Sequence, residues 1–292
     1  MASFETLVDD VYKLLDGHDL TTTVASFSDK LGAALVSRFK EHGDDREPTL
    51  RMSNIGKPLR QLWYELKNAP KEKLSQQVKF KFLYGDLLEL LFLFLAKEAG
   101  HTVEYEQHSI NVDGVPGHID GVIDGVLIDL KSCSPHSFNK FKSGKLLEDD
   151  PFGYIGQLSG YKEALGIERA AFIAIDKVHG DICIYELPAT ERQYNVRDRI
   201  KEVRKAVDSD IEPARCYEPK PVSKTDKTGN LVLDVGCSYC SHKFHCWRDA
   251  NGGEGLAVRF YSTGPKFFVH IEKEPRLKSA SEYEAFPIKE EE

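Results

Sequence analysis

Two aspartates and a lysine lie within one short apolar segment, Gly117 to Lys131. Asp120 precedes Asp129 by nine positions, and Lys131 follows Asp129 by two. Because alternate side chains of a β-strand share a face, Asp129 and Lys131 are expected to point the same way. Burying two carboxylates and an ammonium is unfavourable unless they are paired or bind an ion. The pattern therefore predicts a site for a hard divalent cation held by carboxylate oxygens.

The same segment has the composition of a β-hairpin. Gly121 and Gly125 provide turn chemistry, and the pair Asp124-Gly125 favours a tight two-residue turn. We therefore predict two buried strands joined near Asp124. The residues that would form these strands are apolar and largely β-branched: Val122, Ile123, Val126, Leu127, Ile128 and Leu130.

A third carboxylate, Glu89, lies inside the apolar stretch Leu87 to Ala96. The surrounding segment, Phe80 to Ala99, is apolar on nearly all sides, which predicts a buried helix that ends at Gly100. A charged residue on a buried helix face needs a partner. Considered alone, Glu89 could extend to solvent or pair with an arginine. Considered together with the Gly117–Lys131 segment, a shared metal ion is the better explanation.

Gln157 and Tyr161 are four residues apart on a predicted helix, Tyr154 to Leu165, which Gly166 should terminate. Alone, this spacing is typical of a surface pair. The pair becomes informative because it follows the acidic segment Gly117–Lys131 in the chain.

The remaining segments predict a mixed α/β layer with a central sheet. Helical patterns are expected over residues 1 to about 40, at 57–66 and at 189–207. Strands are expected at 103–112, 169–175, 181–187 and 261–274. Polar segments are expected at 41–48 and 134–150, the second partly mobile, and a disordered tail at 289–292.

Four of these features occur in the order found in a known family. Gly85-x3-Glu89, Gly117-x2-Asp120, Asp129-x-Lys131 and Gln157-x3-Tyr161 together resemble the PD-(D/E)XK nuclease superfamily, in particular its RecB-like branch. The resemblance covers roughly residues 50 to 161. Position 89 is Glu, as in lambda-type exonucleases, whereas helicase-associated members often have His. A Gly-His-Ile precedes Asp120 where the family pattern has Pro. The resemblance implies a restriction-endonuclease-like core, with a central mixed sheet flanked by helices and a cysteine-rich, metal-bound C-terminal segment.

The resemblance also implies hydrolysis of phosphodiester bonds and roles for individual residues. Lys131 would orient a water molecule or offset charge in the transition state, since neighbouring carboxylates oppose its use as a base. Gln157 and Tyr161 would fix Lys131 or contact the DNA backbone, and His118 would either face the metal or be structural. One or two Mg²⁺ or Mn²⁺ ions would be held by Glu89, Asp120, Asp129 and the carbonyl of Leu130.

Six cysteines in a chain of this length, without a secretion signal, argue against a disulfide scaffold. The spacing Cys237-x2-Cys240-x5-Cys246 is similar to the C-terminal pattern of CRISPR-associated RecB-type and AddB-type nucleases, which implies a [4Fe-4S] cluster. In those relatives a fourth cysteine precedes the nuclease core. Here no cysteine precedes Cys133, so Cys216 is the best substitute. The same set could equally bind zinc, with His242 or His245 replacing a cysteine. Cys133 and Cys183 are expected in the core.

Composition limits the range of partners and locations. The net charge of −8 argues against general affinity for nucleic acid but leaves room for a local basic face. No apolar run is long enough to span a membrane, and the N-terminus lacks a signal-peptide pattern. A cytoplasmic location is therefore expected, in the host cytoplasm if the protein is phage-encoded.

These observations lead to one main functional hypothesis and two alternatives. The main one is a metal-dependent DNA exonuclease that acts from ends in phage or bacterial recombination or repair. The alternatives are an RNA or structure-specific endonuclease, which the sequence does not separate from the main hypothesis, and a catalytically silent nucleic-acid-binding module. The intact acidic residues and Lys131 argue against the silent module. DNA is the expected partner, with a recombination or single-strand-annealing protein and self-association left open.

The expected domains are a helical region at 1–49, a nuclease core at 50–208 and a cysteine-rich segment at 209–292.

Overall fold

The computed structural model describes residues 2–17, 20–40, 48–188, 194–261 and 264–275. The chain divides into two compact units. The first comprises Met1–Lys67 and Leu74–Ile211, and the second comprises Asn68–Lys73 and Glu212–Glu292. The expected C-terminal tail at 289–292, most of the polar loop at 41–48 and the start of the helix expected at 189–207 lie outside the described residues.

A five-stranded mixed sheet forms the centre of the first unit. Its strand order is β1-β4-β5-β6-β7, with β5 and β6 parallel and the other neighbours antiparallel. Strands β2 and β3 form a separate hairpin. This arrangement confirms the expected mixed α/β layer. The strands are β1 (Val103–Glu104), β2 (Ser109–Val112), β3 (Val115–His118), β4 (Gly121–Ile123), β5 (Val126–Cys133), β6 (Ala170–Asp176) and β7 (Ile182–Glu186).

Helices cover both faces of this sheet. One apolar cluster joins α1 and α4 to sheet residues such as Ile128 and Ile173. A second cluster joins α5, α6 and α7 to residues such as Leu127 and Phe172, which alternate with the first set. Helices α4 and α6 therefore lie on opposite faces. The helices are α1 (Leu7–Leu15), α2 (Thr21–Lys40), α3 (Leu59–Leu66), α4 (Gln76–Glu98), α5 (Pro135–Lys142), α6 (Tyr154–Leu165) and α7 (Val196–Asp208).

The predicted hairpin between β4 and β5 is confirmed. Asp124 and Gly125 both have positive φ, +49° and +79°, as a type I′ turn requires. Gly121 pairs with Ile128, and Ile123 pairs with Val126. This register places Asp129 one residue beyond the paired segment, close to the point where β4 begins.

A buried histidine connects the hairpin turn to the N-terminal helix. The His101 side chain is fully buried, and its Nδ1 lies 2.6 Å from Asp124 Oδ2. Its Nε2 lies 3.6 Å from Oδ2 of Asp10 in α1. The other oxygen of Asp124 accepts a hydrogen bond from the backbone N–H of Thr102. The turn that precedes Asp129 is therefore fixed from two sides.

Helix α1 is also tied to the far edge of the sheet. The Tyr12 hydroxyl donates to the carbonyl of Gly180 at 3.0 Å and accepts from the N–H of Ile182 at 2.9 Å. These bonds satisfy backbone groups at the β6–β7 turn.

Two expected segments differ from the structure. The polar segment 134–150 was expected to be irregular, but it contains helix α5 and a 3₁₀ turn at Lys145–Leu147. Ser134 caps the helix, and Phe138 and Phe141 are buried three residues apart, a helical spacing masked by the polar residues around it. The strand expected at 103–112 is broken between β1 and β2, where Tyr105 and Gln107 have positive φ.

The burial expected for the whole of the helix at 80–99 is wrong for its first half. Helix α4 spans Gln76–Glu98, and its buried residues, Phe92, Leu93, Leu95 and Ala96, all lie in the second half. Phe80 and Phe82 in the first half are 69% and 47% exposed. The first half also carries more polar residues, among them Lys79, Lys81 and Asp86, so the difference between the halves was visible in the sequence. The helix ends before Gly100, which has a φ of +91°, as expected.

A close backbone approach positions the start of α6. A Cβ atom on Gly56 would lie 2.1 Å from the carbonyl oxygen of Gly153, the residue before α6. We expect Gly56→Ala to lower the free energy of unfolding by about 2 kcal/mol, because backbone cannot yield as a side chain does. Chemical denaturation would measure the change. Gly32→Ala is the matched control, since nothing lies within 4 Å of its Cβ position. Equal stability of the Gly56 variant and the wild type would contradict the expected clash.

The second unit contains a four-stranded sheet with the order β10-β11-β9-β8. A strand lies within the range expected, 261–274, and it is β11, which pairs in antiparallel orientation with β10, a strand that was not expected. A small core contains Leu233, Trp247 and Phe267. The elements are β8 (Lys220–Pro221), β9 (Leu231–Val232), α8 (Val235–Ser238), α9 (Lys243–Cys246), α10 (Ala250–Gly253), β10 (Ala257–Tyr261) and β11 (Gly264–His270).

Among the helices that the structure describes, none has the length and apolar character needed to cross a membrane.

Candidate active site

Asp129 and Lys131 lie side by side on β5. Lys131 Nζ is 2.5 Å from Asp129 Oδ2, and the Asp129 side chain is 1% exposed. The expectation that the two side chains point the same way is therefore confirmed. A carboxylate buried this deeply is removed from water, which is unfavourable unless a partner compensates. The direct ion pair with Lys131 provides that compensation.

Helix α6 supports this pair from the opposite side of Asp129. Gln157 Nε2 donates to Asp129 Oδ1 at 3.0 Å and to the Tyr161 hydroxyl at 3.1 Å. Gln157 and Tyr161 are both buried, so neither is the surface residue that the spacing alone would suggest. The hydrogen-bond partner of Gln157 is therefore Asp129. The sequence analysis predicted Lys131 or the DNA backbone as its partner.

Tyr154 is a member of this group that the sequence did not reveal. Its ring lies under Lys131, with Nζ 4.9 Å from the ring centroid, a distance at which a cation and an aromatic face attract. Tyr154 precedes Gln157 by three residues on α6, so the helical spacing 154, 157, 161 was the available signal. Burial raises the pKa of the Tyr154 hydroxyl to about 12.

Lys131 carries its charge in this environment. Burial alone would lower the pKa of Lys131, but the carboxylates of Asp129 and Asp120 outweigh burial and raise that pKa above its ordinary value. In the metal-free protein Lys131 is therefore an ammonium at neutral pH, which agrees with an orienting and electrostatic role rather than that of a base.

Asp120 reaches the same region from the residue that precedes β4. Its Oδ2 accepts a hydrogen bond of 2.6 Å from the backbone N–H of Leu130. Burial raises the pKa of Asp120 well above its ordinary value, and the charges of Asp129 and Glu89 raise it further. The Leu130 N–H thus binds a carboxylate, while the role expected for the Leu130 carbonyl stays a prediction.

Glu89 approaches from α4, on the opposite face of the sheet from α6. Burial raises the pKa of Glu89 to about 7, and the charges of Asp129 and Asp86 add to this effect. Gln107 donates a hydrogen bond to Glu89 Oε1. Asp86 and Gln107 were not recognised in the sequence, although Asp86 stands one helical turn before Glu89. Each of the three expected carboxylates therefore lies within electrostatic range of the other two.

The chemistry of these donors fits a hard divalent cation. The buried carboxylates of Glu89 and Asp120 have raised pKa values because they lie in a poorly solvated, negative environment, which a cation would neutralise. Across the described part of the chain, no group of three or more His, Cys, Asp or Glu side chains is already arranged as a ligand set. His118, the other candidate, is exposed on β3.

Cys237 lies within electrostatic range of the other three cysteines expected to bind a cofactor, but among the described residues no three of these thiols are arranged as a metal-ligand set. Cys237 is buried, and burial raises its pKa to about 12, with Cys216, Cys246 and Cys240 adding to the rise. Thiols are soft donors suited to iron-sulfur clusters or zinc. Cys133 lies buried in β5 and Cys183 half-buried in β7, as expected for core residues.

Comparison with known proteins gives low similarities. No family model matches the chain, and no curated protein matches it. A phage-related exonuclease from Haemophilus somnus 129PT is 15% identical, with a TM-score of 0.39, over 56% of this chain and 92% of the other. An alkaline exonuclease from Laribacter hongkongensis is 17% identical, with a TM-score of 0.34, over 56% and 86%. The protein SSO0001 is 16% identical, with a TM-score of 0.39, over 73% and 93%. Likenesses this low assign neither a fold family nor an activity to the chain.

Proposed function

We propose that this protein is a metal-dependent deoxyribonuclease that hydrolyses phosphodiester bonds from DNA ends. The observation that carries the proposal is the direct pair of Asp129 and Lys131, with the carboxylates of Asp120 and Glu89 close by. Several buried acids beside one cation are costly for folding, which favours a functional reason for their presence. The resemblance of the motifs around these residues to the PD-(D/E)XK nucleases supports the same reaction.

Glu89, Asp120 and Asp129, with the carbonyl of Leu130, would hold Mg²⁺ or Mn²⁺. When bound, the metal would polarise the scissile phosphate and lower the pKa of a water molecule.

The protein's own residues would orient and stabilise the reacting groups. The Lys131 ammonium would hold negative charge on the phosphate oxygens, and its position is set by Asp129 and the Tyr154 ring. Gln157 would keep Asp129 oriented through its hydrogen bond to Oδ1, and Tyr161 would in turn hold Gln157. Preorganisation of this kind lowers the barrier because little has to move during the reaction.

A comparison of substrates would test both the reaction and the preference for ends. Linear duplex, closed circular duplex and single-stranded DNA would be incubated with Mg²⁺, with Mn²⁺ and with EDTA. We expect hydrolysis of linear DNA in either metal and none in EDTA. Cleavage of closed circles would contradict action from ends and favour a structure-specific endonuclease. DNA binding without hydrolysis under every condition would contradict the proposal and favour a silent binding module.

The biological setting that we propose is recombination or repair in a phage or bacterium, in the cytoplasm. The glutamate at position 89, shared with lambda-type exonucleases, supports this setting. The domains that we propose remain a helical region at 1–49, the nuclease core at 50–208 and the cysteine-rich segment at 209–292. Nothing in the chemistry of the described residues identifies a partner protein.

We also propose that Cys216, Cys237, Cys240 and Cys246 hold a [4Fe-4S] cluster. The support is their spacing and the influence of the other three cysteines on Cys237. Anaerobically purified protein is expected to be brown, with broad visible absorption and with iron and sulfide in cluster stoichiometry. Colourless protein that contains one equivalent of zinc would show that the cysteines bind zinc and not an iron-sulfur cluster. Absence of both metals would contradict a metal-binding role, and Cys183→Ser is the control that should leave the metal content unchanged.

A further inference from the structure

Two exposed phenylalanines flank the candidate active site, each connected to it by a different route. Phe82 lies on α4 and is 47% exposed, and Phe152 precedes α6 and is 38% exposed. A single exposed apolar side chain is ordinary, so what matters here is that each ring lies on or next to a helix that carries residues of the site.

Phe82 shares a helix face with Glu89. Phe82, Gly85 and Glu89 are related by i, i+3 and i+7 and therefore lie along one side of α4. Gly85 packs toward β5, because a Cβ on it would lie 3.5 Å from Oγ of Ser132, the residue after Lys131. The same face thus runs from the candidate metal ligand to the exposed ring. At a rise of 1.5 Å per residue, Phe82 lies roughly 10 Å along the axis from Glu89, about three stacked nucleotides.

Phe152 connects to the site through an aromatic stack. Its ring lies 5.5 Å from that of Tyr154, with an interplanar angle of 29°. The face of the Tyr154 ring in turn contacts the Lys131 ammonium group. The order Lys131, Tyr154, Phe152 therefore leads from the buried ion pair to the protein surface.

Positive charge near Phe82 would attract a polyanion such as DNA, although the net charge of the whole chain is negative. Lys79 precedes Phe82 by three residues on the same side of the helix, and Lys81 is adjacent. Both lysines are exposed. Alternation of exposed aromatic rings and lysines is the arrangement by which proteins bind single strands, with bases stacking on rings and cations contacting phosphates.

We propose that Phe82 and Phe152 stack on unpaired bases on either side of the scissile phosphate, so that the substrate within the site is a single strand. This inference rests on the proposed nuclease function. It commits to single-stranded DNA because the faces of paired bases are already stacked within a duplex and offer no surface to a side chain. A DNA end would then have to be unpaired over a few nucleotides before hydrolysis.

Binding of a fluorescently labelled oligothymidylate to the full chain in Ca²⁺, measured by anisotropy, tests the proposal. Phe82→Ala and Phe152→Ala are each expected to weaken binding roughly tenfold, since stacking on one base contributes about 1–3 kcal/mol. Phe82→Trp should retain binding, because indole offers a larger face. Binding of a blunt duplex of equal length should change little.

Phe80→Ala is the matched control. Phe80 is the same residue type on the same helix and is more exposed, at 69%, but it lies two residues from Phe82 and so about 200° around the axis. Its substitution should leave single-strand binding unchanged. Equal losses in the Phe80 and Phe82 variants, or unchanged binding in both Phe82→Ala and Phe152→Ala, would overturn the proposal. Thermal melting would verify that each variant is folded.

Two further results separate this inference from others. A fall in molecular mass in solution on Phe82→Ala would assign this face to contact between copies of the chain and overturn the proposal. If the wild type hydrolyses no DNA in Mg²⁺ or Mn²⁺, the nuclease function fails. If the wild type hydrolyses DNA but the two phenylalanine variants bind a single strand normally, only the present inference fails.

Discussion

Substitution of Lys131 by methionine is expected to lower the rate of Mg²⁺-dependent DNA hydrolysis by roughly a hundred- to a thousandfold, the usual effect of removing one preorganised electrostatic group. Lys131 is the cation paired with buried Asp129, and methionine keeps most of its length while removing its charge. Initial rates on labelled DNA under single-turnover conditions would measure the loss at the chemical step. A variant that retains wild-type rates would exclude Lys131 from the reaction.

Lys140→Met provides the matched control for this prediction. Lys140 lies on α5, where its ion pair, at 2.5 Å, is with Asp149 and not with a carboxylate of the site. Its substitution should leave the rate unchanged. Because Lys131→Met leaves Asp129 buried without its cation, some loss of stability is expected as well. Lys131→Arg retains the charge with a different shape, so partial activity in a folded arginine variant would separate lost chemistry from lost folding.

Substitution of Glu89 by glutamine is expected to change activity and stability in opposite directions. Hydrolysis should fall because a carboxylate ligand is lost. The metal-free variant, in contrast, should be more stable than the wild type by about 3 kcal/mol at pH 8, or roughly 6–12 °C in Tm. The reason is that the pKa of Glu89 is raised, by burial and by Asp129 and Asp86, so its ionisation opposes folding.

The pH dependence of this difference follows from the sign of the shift. The pKa of Glu89 rises from 4.5 in the unfolded chain to about 7 in the folded one. Below pH 4.5 the residue is protonated in both states, and glutamine should confer no advantage. Between pH 4.5 and about 7 the wild type should lose stability relative to the variant, and above pH 7 the difference should be constant.

Thermal melts in EDTA across this pH range would test the prediction. Mg²⁺ should stabilise the wild type more than the variant, because a ligand that binds the native state raises its stability. Glu98→Gln, near the end of the same helix, is the control and should show no such pH-dependent gain. A Glu89 variant less stable than the wild type at pH 8 in EDTA would contradict the account of the site as a repulsive cluster.

Local chemistry in the sequence predicted the β4–β5 hairpin and the shared orientation of the Asp129 and Lys131 side chains. The pair Asp124-Gly125 allows positive φ at both turn positions, and the two-residue period of a strand then fixes the rest. These features depend on neighbours in the chain, which is why they could be predicted without a three-dimensional structure.

Contacts between distant segments could not be predicted in the same way. The hydrogen bond from Gln157 to Asp129 and the ring of Tyr154 under Lys131 depend on how α6 packs against the sheet. The exposure of the first half of α4 is different, because the lysines that alternate with Phe80 and Phe82 were a local signal for it. The expected ligand roles of the carboxylates and the cysteines stay predictions.

The hydrogen bonds of Tyr12 also bear on the order in which the chain can fold during synthesis. Tyr12 is synthesised about 170 residues before both of its partners, the backbone groups of Gly180 and Ile182. At a typical elongation rate of about 5–20 residues per second, this interval lasts on the order of ten seconds or more. Helix α1 can therefore pack its apolar face against α4 before the rest of the sheet exists, but it cannot complete its hydrogen bonds until β7 has been made.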